Sequence, residues 1–293
     1  MALSAESGAP GLERGWSVDA YGRRYYRRMQ RQAGARRDSP DSTRNATADR
    51  AMDLLLLFNE ERTALTVAEM SAELGMSRST TYRYVQSLRS YGFLEDDEPR
   101  GFRLGPMIFE LSRVARHGLG LSEVAIPVMR RLADSLRATT LLTRRYADKV
   151  VTIEREDSPS PIRISYERGH VLPLHAGASG RVFLAYLQPD QLDEFLGDQP
   201  LQRFTKSTIT SRRELQRTLD QTRTDGYTVS HGELDEGVLG VAAPIFGSDG
   251  SVVAALSLVD TEFSVDAARL KRMVRAVVDG AGEIGSRVRS LGL

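Results

Sequence analysis

The side chains best suited to chemistry lie between Ser77 and Tyr91, where hydroxyl, guanidinium and amide groups recur at helical spacing. This stretch holds three arginines and no acidic residue, so it is locally basic. Positions i, i+3, i+4 and i+7 of one helix face are the polar residues Ser79, Tyr82, Arg83 and Gln86. Groups of this kind hydrogen-bond to phosphates and to base edges in the major groove of DNA. A helical hairpin with a solvated polar face would carry the same residues, so the stretch alone leaves both interpretations open.

Local signals predict two short helices that would present this face. Thr66 and Glu69 have the spacing of a capping box, which marks the start of the first helix. Gly75 suits the left-handed residue that ends a helix, and Ser77 suits the N-cap of the next one. A helix that stops on glycine and restarts within three residues is typical of a helix-turn-helix.

A β-hairpin is predicted directly after the second helix, over residues 92–104. A helix-turn-helix followed by a hairpin makes a winged helix. The hairpin tip carries Asp96, Asp97 and Glu98, whose charges repel phosphates, so only two arginines of the wing are candidates for DNA contact. The predicted DNA-contacting residues are Ser77, Arg78, Ser79, Thr80, Tyr82, Arg83, Gln86, Arg100 and Arg103.

Three separated motifs resemble those of the IclR family of transcriptional regulators. In chain order they are SRSTTYRYVQSL with YGFL (77–94), LHAGASGRVFLA (174–185), and GYTV (226–229) followed by Glu233, Gly237 and VAAPIF (241–246). The resemblance covers about residues 45–290 and implies a GAF-like C-terminal domain that binds a small effector, often an organic or aromatic acid. It also implies that the chain pairs into a homodimer or homotetramer.

Motif matching to this family implies five effector-binding residues: Ala178, Ser179, Ser230, Gly240 and Ser257. The first two open a helix whose backbone N–H groups favour an anion. Ser230 stands where the family usually has an acid, and Gly240 is smaller than many residues at its position. We therefore expect a pocket that is roomier and less charged than in relatives that take small keto acids.

The chain divides into four predicted segments: a basic extension without packed structure (1–44), the winged helix (45–104), a linker helix (105–120) and the effector domain (121–293). Seven arginines and no acid lie between Tyr21 and Arg37. This extension is either a solvated tail or an arm that follows DNA phosphates or enters a minor groove.

The predicted fold class is α+β, because helices flank a largely antiparallel sheet in the C-terminal half. In the N-terminal half, the first helix is expected over 45–60 and the linker helix over 107–116. The predicted C-terminal strands are 140–146, 150–154, 162–166, 227–230, 238–246 and 252–259. The predicted C-terminal helices are 122–136, 178–187, 189–196, 211–225 and 265–291.

Composition limits the classes of function. The chain has 293 residues, which suits two domains, and it has no cysteine, which excludes disulfides and thiol catalysis. No apolar run reaches about 18 residues, so we expect a cytoplasmic protein with no membrane partner. His175 and His231 lack metal-ligand spacing, and no Gly-x-Ser-x-Gly elbow occurs, so neither an enzyme nor a metal or cofactor is expected.

Two rivals remain to an effector-controlled regulator that binds double-stranded DNA. One is an enzyme that transforms a small molecule and is fused to a DNA-binding module; turnover of a bound compound would favour it. The other is an architectural DNA binder that responds to no metabolite.

Overall fold

The fold is α+β, with an N-terminal winged helix and a C-terminal α/β domain. A computed structural model describes residues 45–59, 62–117, 120–157, 166–197 and 200–291. The arginine-rich extension, and all of the predicted strand 162–166 except Tyr166, lie outside the described residues. Tyr166 itself is not part of a strand.

Between residues 45 and 104, the structure describes three helices and a three-stranded antiparallel sheet of order β1-β3-β2. These elements are α1 Ala46–Leu55, β1 Ala64–Leu65, α2 Val67–Leu74, α3 Arg78–Ser90, β2 Leu94–Asp97 and β3 Gly101–Leu104. The helix α1 ends at Leu55, five residues before its predicted end. The chain leaves it through a turn that buries Leu57 and Phe58 among Leu54, Met70 and Val85.

The predicted signals at the helix-turn-helix are confirmed in detail. The backbone N–H of Glu69 donates to Thr66 Oγ1 at 3.3 Å, and the Glu69 carboxylate accepts from the Thr66 N–H at 2.8 Å. Gly75 ends α2 in the left-handed region, with φ 62°. Ser77 Oγ then caps α3 by accepting from the Thr80 N–H at 3.2 Å. These contacts fix the residues at which α2 begins and ends and at which α3 begins.

After β3 the helix α4, Met107–His117, covers the predicted linker. Its apolar side chains are not all covered within one chain: Phe109 is 75% exposed, and Leu111 and Val114 are also exposed. Several large apolar side chains exposed on one helix indicate a surface that packs against something outside the monomer.

The C-terminal part is built on a six-stranded antiparallel sheet of order β6-β5-β4-β9-β8-β7. Its strands are β4 Thr139–Tyr146, β5 Lys149–Glu156, β6 Val171–Pro173, β7 Thr228–His231, β8 Val238–Phe246 and β9 Val252–Thr261. Its helices are α5 Leu121–Leu136, α6 Ala178–Ala185, α7 Pro189–Leu196, α8 Arg212–Asp225 and α9 Ala267–Ser290.

Two apolar cores lie on opposite faces of this sheet. One is formed with α5 and α9, through residues such as Met129 and Ile284. The other is formed with α6, α7 and α8, through residues such as Val182 and Leu219. Because β9 is covered on both faces, it is buried from Ala254 onwards. None of the helices in the described part of the chain is long and apolar enough to cross a membrane.

Candidate DNA interface and ligand cavity

The helix α3 has one buried and one exposed face. Thr81, Val85 and Leu88 are buried against the rest of the winged domain. The opposite face exposes Arg78, Ser79, Tyr82 and Arg83, as predicted from spacing. Gln86 is only half-buried in the same direction, and its Oε1 accepts from Arg89 Nη1 at 3.4 Å.

The hydroxyl groups at the start of α3 form a small network. Ser77 Oγ lies 3.1 Å from Ser79 Oγ and 2.8 Å from Thr80 Oγ1, in addition to its cap on the Thr80 N–H. The same three hydroxyls therefore stabilise the helix start and stand beside its exposed backbone N–H groups, where phosphate binding is favoured.

The wing arginines are paired with wing acids. Arg100 lies 2.9 Å from the Asp97 carboxylate and Arg103 lies 2.6 Å from the Glu95 carboxylate. Arg89, at the end of α3, reaches across to Asp96 at 2.8 Å. By contrast, no ion-pair partner exists for Arg78 or Arg83 among the residues that the structure describes. The uncompensated positive charge is thus concentrated on the first two turns of α3.

All five residues predicted to bind the effector line one cavity in the C-terminal domain. It lies between α6, the strands β7, β8 and β9, and the connection from β7 to β8. Apolar walls come from residues such as Leu141, Leu172 and Val238. Including its open mouth the cavity contains about 430 Å³ of unoccupied space, of which about 30 Å³ admits the centre of a water molecule. In this conformation it is therefore a narrow site.

The N-terminus of α6 forms one wall of the cavity. Gly177 precedes the helix with φ 80°, and no side chain caps the helix there. The positive φ favours glycine at this position, and a Cβ there would lie 2.7 Å from Leu234 Cδ1, so the leucine side chain would have to shift. The first N–H groups of a helix have no partner within it, so this end attracts an anion. The Gly177 N–H already donates to Glu233 Oε2 at 3.1 Å.

Glu233 and Arg181 form a buried ion pair beside that helix end. Arg181 is 2% exposed; its Nη1 lies 2.6 Å from Glu233 Oε1, and its Nη2 donates to the carbonyl of Val229. Burial raises the pKa of the Glu233 carboxyl, whereas Arg181, the Gly177 N–H and Ser230 oppose that shift. Burial also lowers the pKa of Arg181. The close pairing holds both side chains charged.

A second carboxyl group lines the cavity at Asp235. Tyr166 Oη donates to Asp235 Oδ2 at 2.5 Å, across 69 positions of sequence. Burial raises the pKa of Asp235, and burial together with the nearby Asp235 charge raises the pKa of Tyr166 well above its usual value. Neither residue was predicted from the sequence.

The cavity carries charge, although Ser230 stands where the family usually has an acid. The acids simply come from the connection after β7, at Glu233 and Asp235. A Cβ at Gly240 would lie 3.4 Å from the Ala178 methyl, so a larger residue there would take up space between them. Ser179 Oγ and Ser257 Oγ lie 2.6 Å apart and join α6 to β9.

Comparison with protein families decides the identity of both parts. The model of the IclR helix-turn-helix domain matches residues 47–98, and that of the bacterial transcriptional regulator IclR C-terminal domain matches residues 114–286. The chain belongs to the IclR family of transcriptional regulators. It therefore combines a DNA-binding helix-turn-helix with an effector-binding domain, and members of the IclR family are regulators, not enzymes.

Individual IclR-family relatives agree. The chain is 32% identical over 237 residues to the HTH-type transcriptional regulator BhcR of Paracoccus denitrificans, covering 80% of this chain and 85% of that one. It is 32% identical over 226 residues to XynR of Escherichia coli, covering 76% and 89%. A solved IclR homolog from Microbacterium hydrocarbonoxydans, complexed with 4-hydroxybenzoate, superposes with TM-score 0.76 and 28% identity, covering 84% of this chain and 100% of that one.

In this IclR-family chain, the two histidines considered in the sequence analysis, His175 and His231, contact other groups of the protein. His175 lies 2.8 Å from the carbonyl oxygen of Gln202 through Nε2, and its ring packs on Phe204. His231 is exposed, and its Nδ1 lies 3.4 Å from a Glu262 carboxylate oxygen. Within the described residues, no group of three potential metal ligands comes together.

Proposed function

We propose that this IclR-family regulator reads DNA through the exposed face of α3 and responds to a small organic or aromatic acid held in the cavity. The observation that carries the proposal is the convergence of five motif-matched residues, separated by up to 79 positions in sequence (178 to 257), on one cavity at a helix N-terminus.

The unpaired charges of Arg78 and Arg83 support the assignment of DNA contacts to α3. Guanidinium groups free of internal partners can meet phosphates and guanine edges without first breaking an ion pair. The wing arginines must give up Asp97 or Glu95 to do so, which makes them weaker contacts. We assign DNA binding to Ser77, Arg78, Ser79, Thr80, Tyr82, Arg83 and Gln86, with Arg100 and Arg103 as secondary contacts.

The acid character of the effector is supported by the α6 N-terminus and the hydroxyls around it. A carboxylate at that end would accept hydrogen bonds from backbone N–H groups and from serine hydroxyls, as anions at helix starts commonly do. The 4-hydroxybenzoate in the solved Microbacterium homolog is consistent with this class of ligand. We assign effector contact to Ala178, Ser179, Ser230, Gly240 and Ser257.

The chain is further proposed to act in the cytoplasm as a homodimer or homotetramer. The exposed apolar side chains of α4 support pairing, because a subunit interface would cover them. We divide the chain into the extension 1–44, the winged helix 45–104, the linker 105–120 and the effector domain 121–293. A paired assembly would place two copies of α3 on two half-sites, which gives tighter and more specific binding than one winged helix.

The test measures DNA affinity with and without acid. Genomic fragments selected by the full chain would supply an operator, and fluorescence anisotropy would follow its binding during titration with 4-hydroxybenzoate, benzoate, butyrate and propionate. A coupling of about 1–3 kcal/mol between acid and operator is expected. If no acid binds by calorimetry, the proposed ligand class is wrong. If acids bind but leave operator affinity unchanged, the proposed response is wrong.

A further inference from the structure

The cavity contains two carboxyl groups that differ sharply in their surroundings. Glu233 accepts from Arg181, from the Gly177 N–H and from Ser230. Asp235 accepts one side-chain hydrogen bond, from Tyr166, and its charge also interacts with His170, whose ring packs on Tyr166. One carboxyl is thus satisfied by the protein, whereas the other is only partly satisfied.

A half-buried carboxylate that accepts only one side-chain hydrogen bond favours ligands that donate another. A carboxylate offers about four acceptor sites, and burying it without partners costs free energy. Tyr166 uses one site of Asp235, and its own oxygen can still accept. Both side chains line the cavity, and Tyr166 is only 6% exposed. Asp235 itself is half-buried, so water reaches this wall only in part.

We propose that Asp235, with Tyr166, is the specificity-determining pair of the cavity and selects monocarboxylic acids that carry a hydroxyl group. The ligand hydroxyl would donate to the Asp235 carboxylate. This inference rests on the proposed function, because it presupposes that acids enter this site.

The same charge excludes other ligands. A ligand carboxylate placed against Asp235 would be repelled at short range, because both groups carry negative charge. The acid group must therefore lie at the α6 N-terminus, near Ser179, and the hydroxyl must lie toward Asp235. A second carboxylate on the ligand would have no position away from both acids, so dicarboxylic acids bind weakly. An acid without a hydroxyl leaves Asp235 as it is in the empty cavity and gains nothing from it.

The experiment compares matched acids by calorimetry on the full chain: 4-hydroxybenzoate with benzoate, 4-hydroxybutyrate with butyrate, and lactate with propionate. In the wild type, the hydroxylated member of at least one pair should bind about tenfold or more tightly, because hydrogen bonds to charged groups are strong. In Asp235→Ala that ratio should fall below about twofold while the affinity for the parent acid is kept.

Two further variants separate specificity from folding. Asp235→Asn keeps an acceptor oxygen of the same size and should retain part of the preference, whether or not Asp235→Ala folds. Asp148→Ala removes an exposed acid outside the cavity and should leave every ratio unchanged. If no acid of any pair binds, the proposed function fails and this inference fails with it. If acids bind without hydroxyl preference, or if the full wild-type preference persists in Asp235→Ala or in Asp235→Asn, this inference alone is overturned.

Discussion

Arg103 lies directly opposite Glu95 in the antiparallel register of the wing, and its Nε lies 2.6 Å from the Glu95 carboxylate. The pair holds a wing cation against the wing itself, away from a phosphate. With the pairs Arg100–Asp97 and Arg89–Asp96, it leaves both wing arginines paired, and Glu98 gives the wing a net negative charge. Positive charge on this DNA interface therefore resides mainly on α3.

We expect Arg83 to read base edges and Arg78 to contact phosphate, because Arg83 lies at mid-helix on the exposed face. Arg83→Ala should cost about 1–3 kcal/mol of binding free energy and relax sequence preference. Arg78→Ala should weaken all sequences alike. Anisotropy titrations against the operator and single-base variants would measure both, and uniform weakening by Arg83→Ala would contradict the assignment.

Breaking the wing ion pair should strengthen nonspecific binding. Glu95→Gln removes the charge that holds Arg103, so the freed guanidinium can meet a phosphate. The slope of log affinity against log salt should steepen by about one unit at most. The matched control is Glu110→Gln, which breaks an exposed pair with Arg113 on α4. Equal slopes for the two variants and the wild type would show that the wing does not approach DNA.

The arginine-rich extension gives a second test by salt dependence. If residues between Arg23 and Arg37 lie along phosphates, deletion of residues 1–40 should flatten the salt slope, because fewer counterions are released on binding. Affinity should fall most at low salt. A slope equal to that of the full chain would instead identify the extension as a solvated tail.

Ala178→Trp should fill the cavity, because the Ala178 methyl already faces Gly240 across it. Acid binding should be abolished by calorimetry, whereas operator affinity without acid should be nearly unchanged. Tyr146→Trp, on an exposed hairpin tip, is the aromatic control and should bind acid normally. Normal acid affinity in Ala178→Trp would mean that the site lies elsewhere.

The half-buried Asp235 carboxyl should destabilise the ligand-free domain as pH rises, because partial burial raises its pKa more than Tyr166 and His170 lower it. Its folded pKa is raised above the ordinary 3.8, so the native state keeps a proton that the unfolded chain loses. Stability therefore falls between 3.8 and the folded value and stays lower above it. Asp235→Asn removes this loss, so its thermal midpoint relative to wild type should rise with pH.

An exposed aspartate provides a control of opposite sign. Hydrogen bonds from Ser251 lower the pKa of Asp249, so its carboxylate stabilises the fold above the unfolded pKa and loses that effect as pH falls. Asp249→Asn should therefore fall further below wild type as pH rises. Parallel pH curves for Asp235→Asn and wild type would contradict the destabilising role of Asp235.

The parts of the fold that the sequence predicted are those set by local chemistry. The capping box at Thr66, Gly75 and the cap at Ser77 act within a few residues, so their effects are readable in order. The five cavity residues were implied by the resemblance to IclR-family motifs. By contrast, Tyr166 meets Asp235 only through folding, and neither residue type predicts a buried hydrogen bond.

Three features that the sequence did not predict have similar physical causes. Strand β6 is three residues long and forms because it pairs with β5. A short apolar run in the sequence does not reveal such a pairing. The early end of α1 reflects Leu57 and Phe58, whose burial in the winged-domain core outweighs continuation of the helix. The burial of Arg181 was equally hidden, because an arginine in a helix reads as a surface residue.

The pairing of Arg181 with Glu233 also constrains how this chain can change over generations. Loss of either partner alone leaves an uncompensated charge in a closed interior, which costs about 3–5 kcal/mol. Replacement of both by apolar residues of similar volume can be nearly neutral. Descendants that have lost Arg181 should therefore be found with Glu233 replaced as well, and intermediates with one partner should be short-lived.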